Sequence, residues 1–419
     1  MKKIFLSLFI LISNISFGQL AQEFKILPIA QTGFSEERLK KLDNYLESLI
    51  KDGIAPNVVS IVVHKGNIVH FKAFGFSNLE NKTAIKRDDI FRIASQSKAI
   101  TTVGLMILFE EGKFLLDDPI SKYIPEFKNP QVFVSYDSVT HKVITRAAKS
   151  EITIRQLLSH NAGISYEHPL QDLPEYKVPL FSSIQNETLA QVIPKLAKRP
   201  LIVDPGKEFT YGLNIDILGY LIEKLSGKTL DVFLKEKVMD PLGMKDTYFY
   251  LPDNKAPRLV ELYSKAKPED KLTVHQSELF RKFSISGAKT YFSGGAGLVS
   301  TAENYAKFMQ MILNGGSFNK KNILSRKTIE LMSRNQIGEA SVWDRQDKFG
   351  LGFQIITEKS HYGDNASVNS LTWGGLFCSE YTIDPKEELI MLVLTNVQPY
   401  HFYSDFVHKY RTLVYQALK

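Results

Sequence analysis

Phe91-Arg-Ile-Ala-Ser95-Gln-Ser-Lys98-Ala-Ile-Thr-Thr-Val-Gly-Leu-Met-Ile-Leu-Phe109 passes from a polar segment into a long apolar run. The spacing predicts a helix over Ala99 to Phe109, apolar enough to be buried. On a helix, positions i and i+3 share a face, so Ser95 would hold its hydroxyl beside the amine of Lys98. A lysine that burial or a nearby cation has stripped of its proton can take the hydroxyl proton and make the serine a nucleophile. The Ser-x-x-Lys spacing also occurs at Ser48, Ser264, Ser286 and Ser317, so the spacing alone leaves a helix cap as an equal explanation. Context separates the five. Ser48 lies late in a surface-patterned helix, Ser264 and Ser317 sit in lysine-rich polar stretches, and Ser286 precedes a glycine-rich loop. Only Ser95 opens a helix that would be buried.

Working outward, Leu39, Leu42, Leu46 and Leu49 recur at helical spacing within Glu36 to Lys51, and Gly53 with Pro56 ends the run. Asn57 to His64 and Ile68 to Phe74 are β-rich and joined by Lys65-Gly66-Asn67, a hairpin signature. Far downstream, Phe349 to Ile356, Cys378 to Ile383 and Leu389 to Thr395 read as strands, the last two separated by Asp384-Pro385-Lys386. Between these ends the periodicity is mostly helical: Ile154 to Leu158, Thr188 to Ala197, Asp216 to Leu225, Leu230 to Val238, Ala302 to Leu313 and Arg326 to Met332. Phe402 to Leu418 closes the chain as a helix. Strands at both ends with helices between them imply an α/β protein of the α+β type. Its sheet would be built from about 36–98 and 345–419, with a mostly helical part, about 99–344, inserted. The junction of the two leaves a cleft.

Composition sets limits on function. At 419 residues, 44% hydrophobic and 23% charged, the chain has the balance of an ordinary globular protein, and no linker or repeat divides it. Met1-Lys2-Lys3, the apolar run Ile4 to Ile12 and Ser16-Phe17-Gly18 have the layout of a cleavable export leader, 1–18, too short to span a bilayer. The expected mature chain, 19–419, is therefore periplasmic or secreted, with no stable membrane insertion. Loss of Lys2 and Lys3 takes the formal charge from +7 to +5. The remaining excess is scattered, as at Lys40-Lys41, Lys265, Lys267 and Lys320-Lys321, which argues against a nucleic-acid partner. The single cysteine, Cys378, cannot form an internal disulfide. No Cys/His cluster suggests zinc, and the chemistry at Ser95 calls for no metal or other cofactor. The expected partner is a small ester or a peptide-like molecule. The sequence is silent on oligomeric state.

Four further segments accompany Ser95 to Lys98: Leu157-Leu-Ser-His-Asn-Ala-Gly163, Pro205-Gly206 with Phe209-Thr210-Tyr211, Asp240-Pro-Leu-Gly-Met-Lys-Asp-Thr247, and Gly294-Gly-Ala-Gly-Leu-Val-Ser-Thr301. In this order and spacing they resemble the family of serine β-lactamases, penicillin-binding proteins and related esterases, across nearly the whole mature chain. The resemblance implies a β-lactamase-like fold and a shared mechanism, acylation of the serine followed by attack of water or another acceptor. It implies that Tyr211 is the tyrosine pointing at the serine hydroxyl. Trp373-Gly374-Gly375 is similar to the strand motif of the carboxylesterase branch, whereas Lys289-Thr290-Tyr291 lacks the glycine that the lactamase motif requires. The resemblance also gives the oxyanion hole to the backbone N–H groups of Ser95 and Leu376.

Two departures bear on substrate. The lactamase-type motif has Asn two residues after the tyrosine, and here Leu213 stands there with Asn214 one place later. Trp373 occupies the place of a lysine or histidine that would meet a substrate carboxylate. Both departures favour small carboxylic esters. A D-amino-acid peptidase or weak β-lactamase is the alternative within enzymes. A catalytically inactive protein that binds cell-wall peptides is the alternative outside them, and the joint presence of Ser95, Lys98 and Tyr211 argues against it. His160 reads as structural.

Overall fold

The central strands of the main sheet are apolar on both sides, and their alternate side chains enter two different cores. The structure is a computed structural model that describes residues 24–181, 186–362 and 365–419. The leader expected over 1–18 lies outside the described residues. Eight strands form the main path: β1 (Lys25–Ile26), β2 (Asn57–His64), β3 (Asn67–Asn78), β4 (Lys348–Phe349), β5 (Gln354–Ile355), β6 (Leu371–Gly375), β7 (Ser379–Asp384) and β8 (Leu389–Leu394). Their spatial order is β1-β3-β2-β8-β7-β6-β5-β4, and the short strand Thr83–Ala84 pairs with the end of β3. Every neighbour is antiparallel except β1 against β3. The strand β2 from the N-terminal half pairs with β8 from the C-terminal end, Ile61 opposite Leu392. The sheet is therefore closed by both ends of the chain.

On one face, Val58, Val62, Met391 and Val393 pack against Leu39, Leu42, Leu46 and Leu49 of α1 (Glu36–Lys51), and against Phe406, Val407, Tyr410 and Val414 of the closing helix, Tyr403–Tyr415. On the other face, Val59, Ile61, Ile390 and Leu392 join the inserted region, which contributes α2 (Ser97–Glu110), α3 (Asn214–Ser226) and α4 (Ala302–Leu313). A strand covered on both faces has no polar side, which is why β8 reads as an unbroken apolar run and β2 as one interrupted only by Ser60, whose hydroxyl is bonded to His70 and Tyr410. Among the described residues no helix is long and apolar enough to cross a membrane.

Several expectations are corrected. The strand expected over Phe349 to Ile356 is a hairpin of two short strands, β4 and β5. Gly352 adopts φ +84°, where a side chain would collide with Thr102 of α2, and Gly350 packs against the backbone of Met332. The strand expected from Cys378 starts at Ser379, because Cys378 has a left-handed backbone and closes the turn with its N–H on the Gly375 carbonyl. Within the inserted, mostly helical region, Gln131–Asp137 and Lys142–Ala147 form an exposed antiparallel hairpin that the periodicity did not mark. The main sheet also begins earlier than expected, at β1.

Candidate active site

Ser95 lies in a short 3-10 turn, Ala94–Gln96, that runs directly into α2. The residue before it, Ala94, is fully buried with φ +42°, a conformation costing about 1–3 kcal/mol for a side chain with a Cβ and tolerated where packing over-determines it. This sharp entry presents the Ser95 hydroxyl at the floor of a cleft and directs the Lys98 side chain beneath it. Lys98 is 2% exposed. Its Nζ lies 3.2 Å from Ser95 Oγ, 3.2 Å from the Tyr166 hydroxyl and 2.8 Å from the Gly295 carbonyl. Of the five Ser-x-x-Lys serines, only Ser95 bonds its lysine. Ser48, Ser264 and Ser286 donate instead to the carbonyls of Tyr45, Gln398 and Lys282, and Ser317 sits in a short strand.

The glycine-rich segment from Gly294 is the back wall of this site. Thr101 of α2 donates to the Gly294 carbonyl at 2.8 Å, and a Cβ on Gly295 would stand 2.5 Å from a carboxyl oxygen of Asp216. Asp216 is fully buried near the start of α3, held by Ser293 Oγ at 2.7 Å. Burial pushes its carboxyl upward, partly opposed by the Ser293 hydroxyl and by the charge of Lys98. Larger residues at Gly294 and Gly295 would push this wall away from the lysine.

Tyr211 borders the same cleft, with its ring 4.6 Å from Lys98 Nζ and its hydroxyl accepting from Trp373 Nε1 at 3.3 Å. The hydroxyl that meets Lys98 Nζ is that of Tyr166, which the sequence reading passed over. Tyr166 follows Gly163 by three residues, its N–H donates to the Tyr211 carbonyl, and the two rings meet edge to face at 5.3 Å. Burial, with Asp216 beyond, raises the Tyr166 hydroxyl well above its ordinary value and keeps it protonated. The available signal was its place beside the Leu157 to Gly163 segment.

His160 is buried beneath Tyr211, ring centroids 4.9 Å apart, and its Nδ1 accepts from Asn214 Nδ2 at 2.8 Å. Burial and the charge of Lys98 hold its pKa well below 6.5, so it stays neutral. The same bond turns Asn214 into the core, where it is fully buried, and Leu213 is buried as the residue preceding α3. The shift of Asn by one position thus takes the carboxamide out of the cleft.

The opposite wall is β6. Trp373, Gly374, Gly375 and Leu376 line a cleft of roughly 200 Å³ together with Ser95, Tyr211, Trp343, Arg345, Tyr400 and Tyr403. A Cβ on Gly374 would collide with the Tyr403 hydroxyl, and one on Gly375 would stand 2.6 Å from the Ile93 carbonyl. Gly375 is therefore required by the approach of β6 to the serine turn, and Gly374 by the side chain of Tyr403 from the closing helix. Trp343 stacks on Trp373 at 5.6 Å, and Arg345 stands next to it; neither was anticipated from the sequence, because both lie in an irregular loop. A larger groove of about 950 Å³ runs beside β1 and β3, lined by Phe24, Phe71, Lys72 and Arg87 among others, but no hydroxyl or thiol side chain lines it. Among the described residues no cluster of side chains could hold a metal.

Comparison with known proteins gives the family and the fold. The Beta-lactamase family model matches residues 42–416. Esterase EstB of Burkholderia gladioli is 24% identical over 372 residues, covering 85% of this chain and 90% of that protein. A Salmonella typhi protein named as a candidate D-alanyl-D-alanine carboxypeptidase is 27% identical over 413 residues, covering 91% and 88%. The solved structure of EstCE1, described as a hydrolase with promiscuous acyltransferase activity, superposes with a TM-score of 0.75 at 26% identity, covering 91% of this chain and 99% of that one.

Proposed function

The chain belongs to the beta-lactamase family, and from that premise we propose that it is a serine hydrolase that forms an acyl-enzyme on Ser95 and hydrolyses small carboxylic esters. The observation that carries this reading is the 3.2 Å approach of Lys98 Nζ to Ser95 Oγ at the floor of a cleft walled by Trp373-Gly374-Gly375. In the proposed step the Lys98 amine, having first given up the proton that makes it a cation, takes the hydroxyl proton as Ser95 Oγ bonds to the ester carbonyl carbon. The negative charge that develops on the carbonyl oxygen is met by two backbone N–H groups, that of Ser95 in the turn leading into α2, where the helix dipole favours an anion, and that of Leu376 just after β6. The bond from carbon to the alkoxy oxygen then breaks, and Lys98 returns its proton to the departing alkoxide. Water repeats the sequence on the acyl-enzyme, giving its proton to Lys98 and restoring the Ser95 hydroxyl. Tyr166 and Tyr211 flank the lysine and hold it in place.

Esters are favoured for two reasons. The cleft, at roughly 200 Å³, lies below the ~300–1,000 Å³ of sites for larger ligands. The carboxamide that would meet the amide of a lactam or peptide is turned inward at Asn214. An amide left without its partner costs about 1–3 kcal/mol. We also propose that residues 1–18 are an export leader, a reading that rests on Lys2, Lys3 and the apolar run to Ile12; the N-terminus of the exported protein, found by sequencing, tests it. For the activity, kcat/KM for p-nitrophenyl acetate and butyrate is compared with that for nitrocefin and a D-alanyl-D-alanine peptide under one set of conditions. The esters should lead by at least about a hundredfold. Lactam or peptide values equal to the ester values would give the site to the peptidase reading.

A further inference from the structure

Arg345 stands at the mouth of the Ser95 cleft, and no residue role described so far uses it. Its guanidinium lies 4.7 Å from the Trp343 ring centroid and 3.9 Å from that of Tyr362, so it is stacked between two aromatic faces. One Nη1–H donates to Gln354 Oε1 at 3.0 Å, and Gln354 Nε2 in turn donates to Asp347 Oδ2 at 2.6 Å, which fixes the amide and the guanidinium together. The backbone is pinned as well: the Arg345 N–H donates to the Val342 carbonyl, and its carbonyl accepts from His361. The loop is strained on both sides, Trp343 with φ +49° and Gln346 with φ +63°, both in the left-handed region that residues with a Cβ rarely adopt. Arginine presents five donors, and Gln354 takes one. Among the described residues no carboxylate lies within ion-pair distance of Arg345: Asp347 is engaged with Gln354, Asp344 is exposed and unpaired with it, and Glu380 pairs with Arg411 at 3.4 Å.

A rigid cation with unused donors, held directly by Gln354 and two aromatic rings, with the Asp347 carboxylate acting on it only from beyond Gln354, and facing a small cleft, is suited to a fixed carboxylate. We propose that Arg345 is a specificity-determining residue that binds a carboxylate at the far end of a short acyl chain whose ester carbonyl lies at Ser95. The preferred esters would then be anionic half-esters of short dicarboxylic acids. This rests on the reading of the cleft as an ester-hydrolysing site at Ser95. It also revises one expectation drawn from Trp373, because the cation absent at that position is supplied from the neighbouring loop, whose Trp343 stacks on Trp373.

The test uses two substrates matched in acyl length, monoethyl glutarate and ethyl valerate, and the ratio of their kcat/KM values in the wild type, Arg345→Gln and Arg345→Lys. Charged hydrogen bonds of this kind are worth about tenfold to a hundredfold, so the wild-type ratio should favour the half-ester by at least about tenfold. Arg345→Gln should cut that ratio at least tenfold, and Arg345→Lys should restore a substantial part of it. A wild-type ratio at or below one, or a ratio unmoved in Arg345→Gln, overturns the proposal. The only two tryptophans of the chain, Trp343 and Trp373, both line the cleft and give a binding readout that needs no turnover. Glutarate, but not glutaramide, should change their fluorescence in the wild type, and the change should vanish in Arg345→Gln. If neither ester is turned over yet glutarate binds through Arg345, the hydrolase reading falls and the anion site stands. If esters are turned over without charge preference and glutarate fails to bind, the reverse holds.

Discussion

At Lys98 one amine meets two hydroxyls, those of Ser95 and Tyr166, and the Gly295 carbonyl; burial holds the proton on Tyr166, and Ser95 Oγ is the group proposed to give its proton to the lysine. Arginine keeps the charge and hydrogen-bonding capacity but does not release its proton in the working range. Lys98→Arg should therefore lower kcat/KM for p-nitrophenyl butyrate at least a hundredfold, about 2.7 kcal/mol in barrier, while circular dichroism shows a folded protein. Retention of more than a tenth of wild-type turnover would require another base. Ser95, Lys98, Tyr211 and Trp373 were legible in the sequence because each belongs to a short contiguous motif. Tyr166 and Arg345 were not. Tyr166 reaches the lysine only because its segment pairs with that of Tyr211, and Arg345 reaches the cleft from an irregular loop whose path no periodicity encodes.

Within α3, burial pushes the Glu223 carboxyl up to about 7, although it accepts from the Leu230 N–H at 3.0 Å, and the nearby Asp231 adds to the rise. A carboxyl whose folded pKa exceeds its unfolded value keeps its proton longer in the folded state. Its contribution to stability is complete below about 4.5 and is lost as the pH rises through about 7. Glu223→Gln retains the acceptor for Leu230 and cannot ionise. The variant should match the wild type in melting temperature near pH 4.5 and exceed it at pH 8, by roughly 1–2 kcal/mol of stability after allowance for a partly exposed site. An equal difference at both pH values would assign the burial no role. The helices themselves were readable to within two or three residues, since α1 and α4 bury one face at helical spacing. The double strand β4–β5 was misread as one strand, because the apolar run conceals a turn forced by the approach of Gly352 to Thr102.

For the whole molecule, the pairing of β2 with β8 places the serine turn and β6 at one end of a sheet whose other face is sealed by α1 and the closing helix. That both termini build the sheet could be read from the positions of the strand-like runs. The spatial order of the strands, and the short β1, could not, since β2 pairs with a strand hundreds of residues away and such pairing leaves no local mark. Such a frame fixes Ser95 against the Trp373-Gly374-Gly375 wall with little freedom, and the proposed chemistry depends on that placement. The most direct test is the mass of the protein quenched in acid shortly after mixing with p-nitrophenyl butyrate. The expected result is one butyryl group per chain on the peptide containing Ser95, with a matching burst of p-nitrophenol, and neither in Ser95→Ala. A butyryl group on another residue, or turnover that persists in Ser95→Ala, would contradict the assignment of Ser95 as the nucleophile.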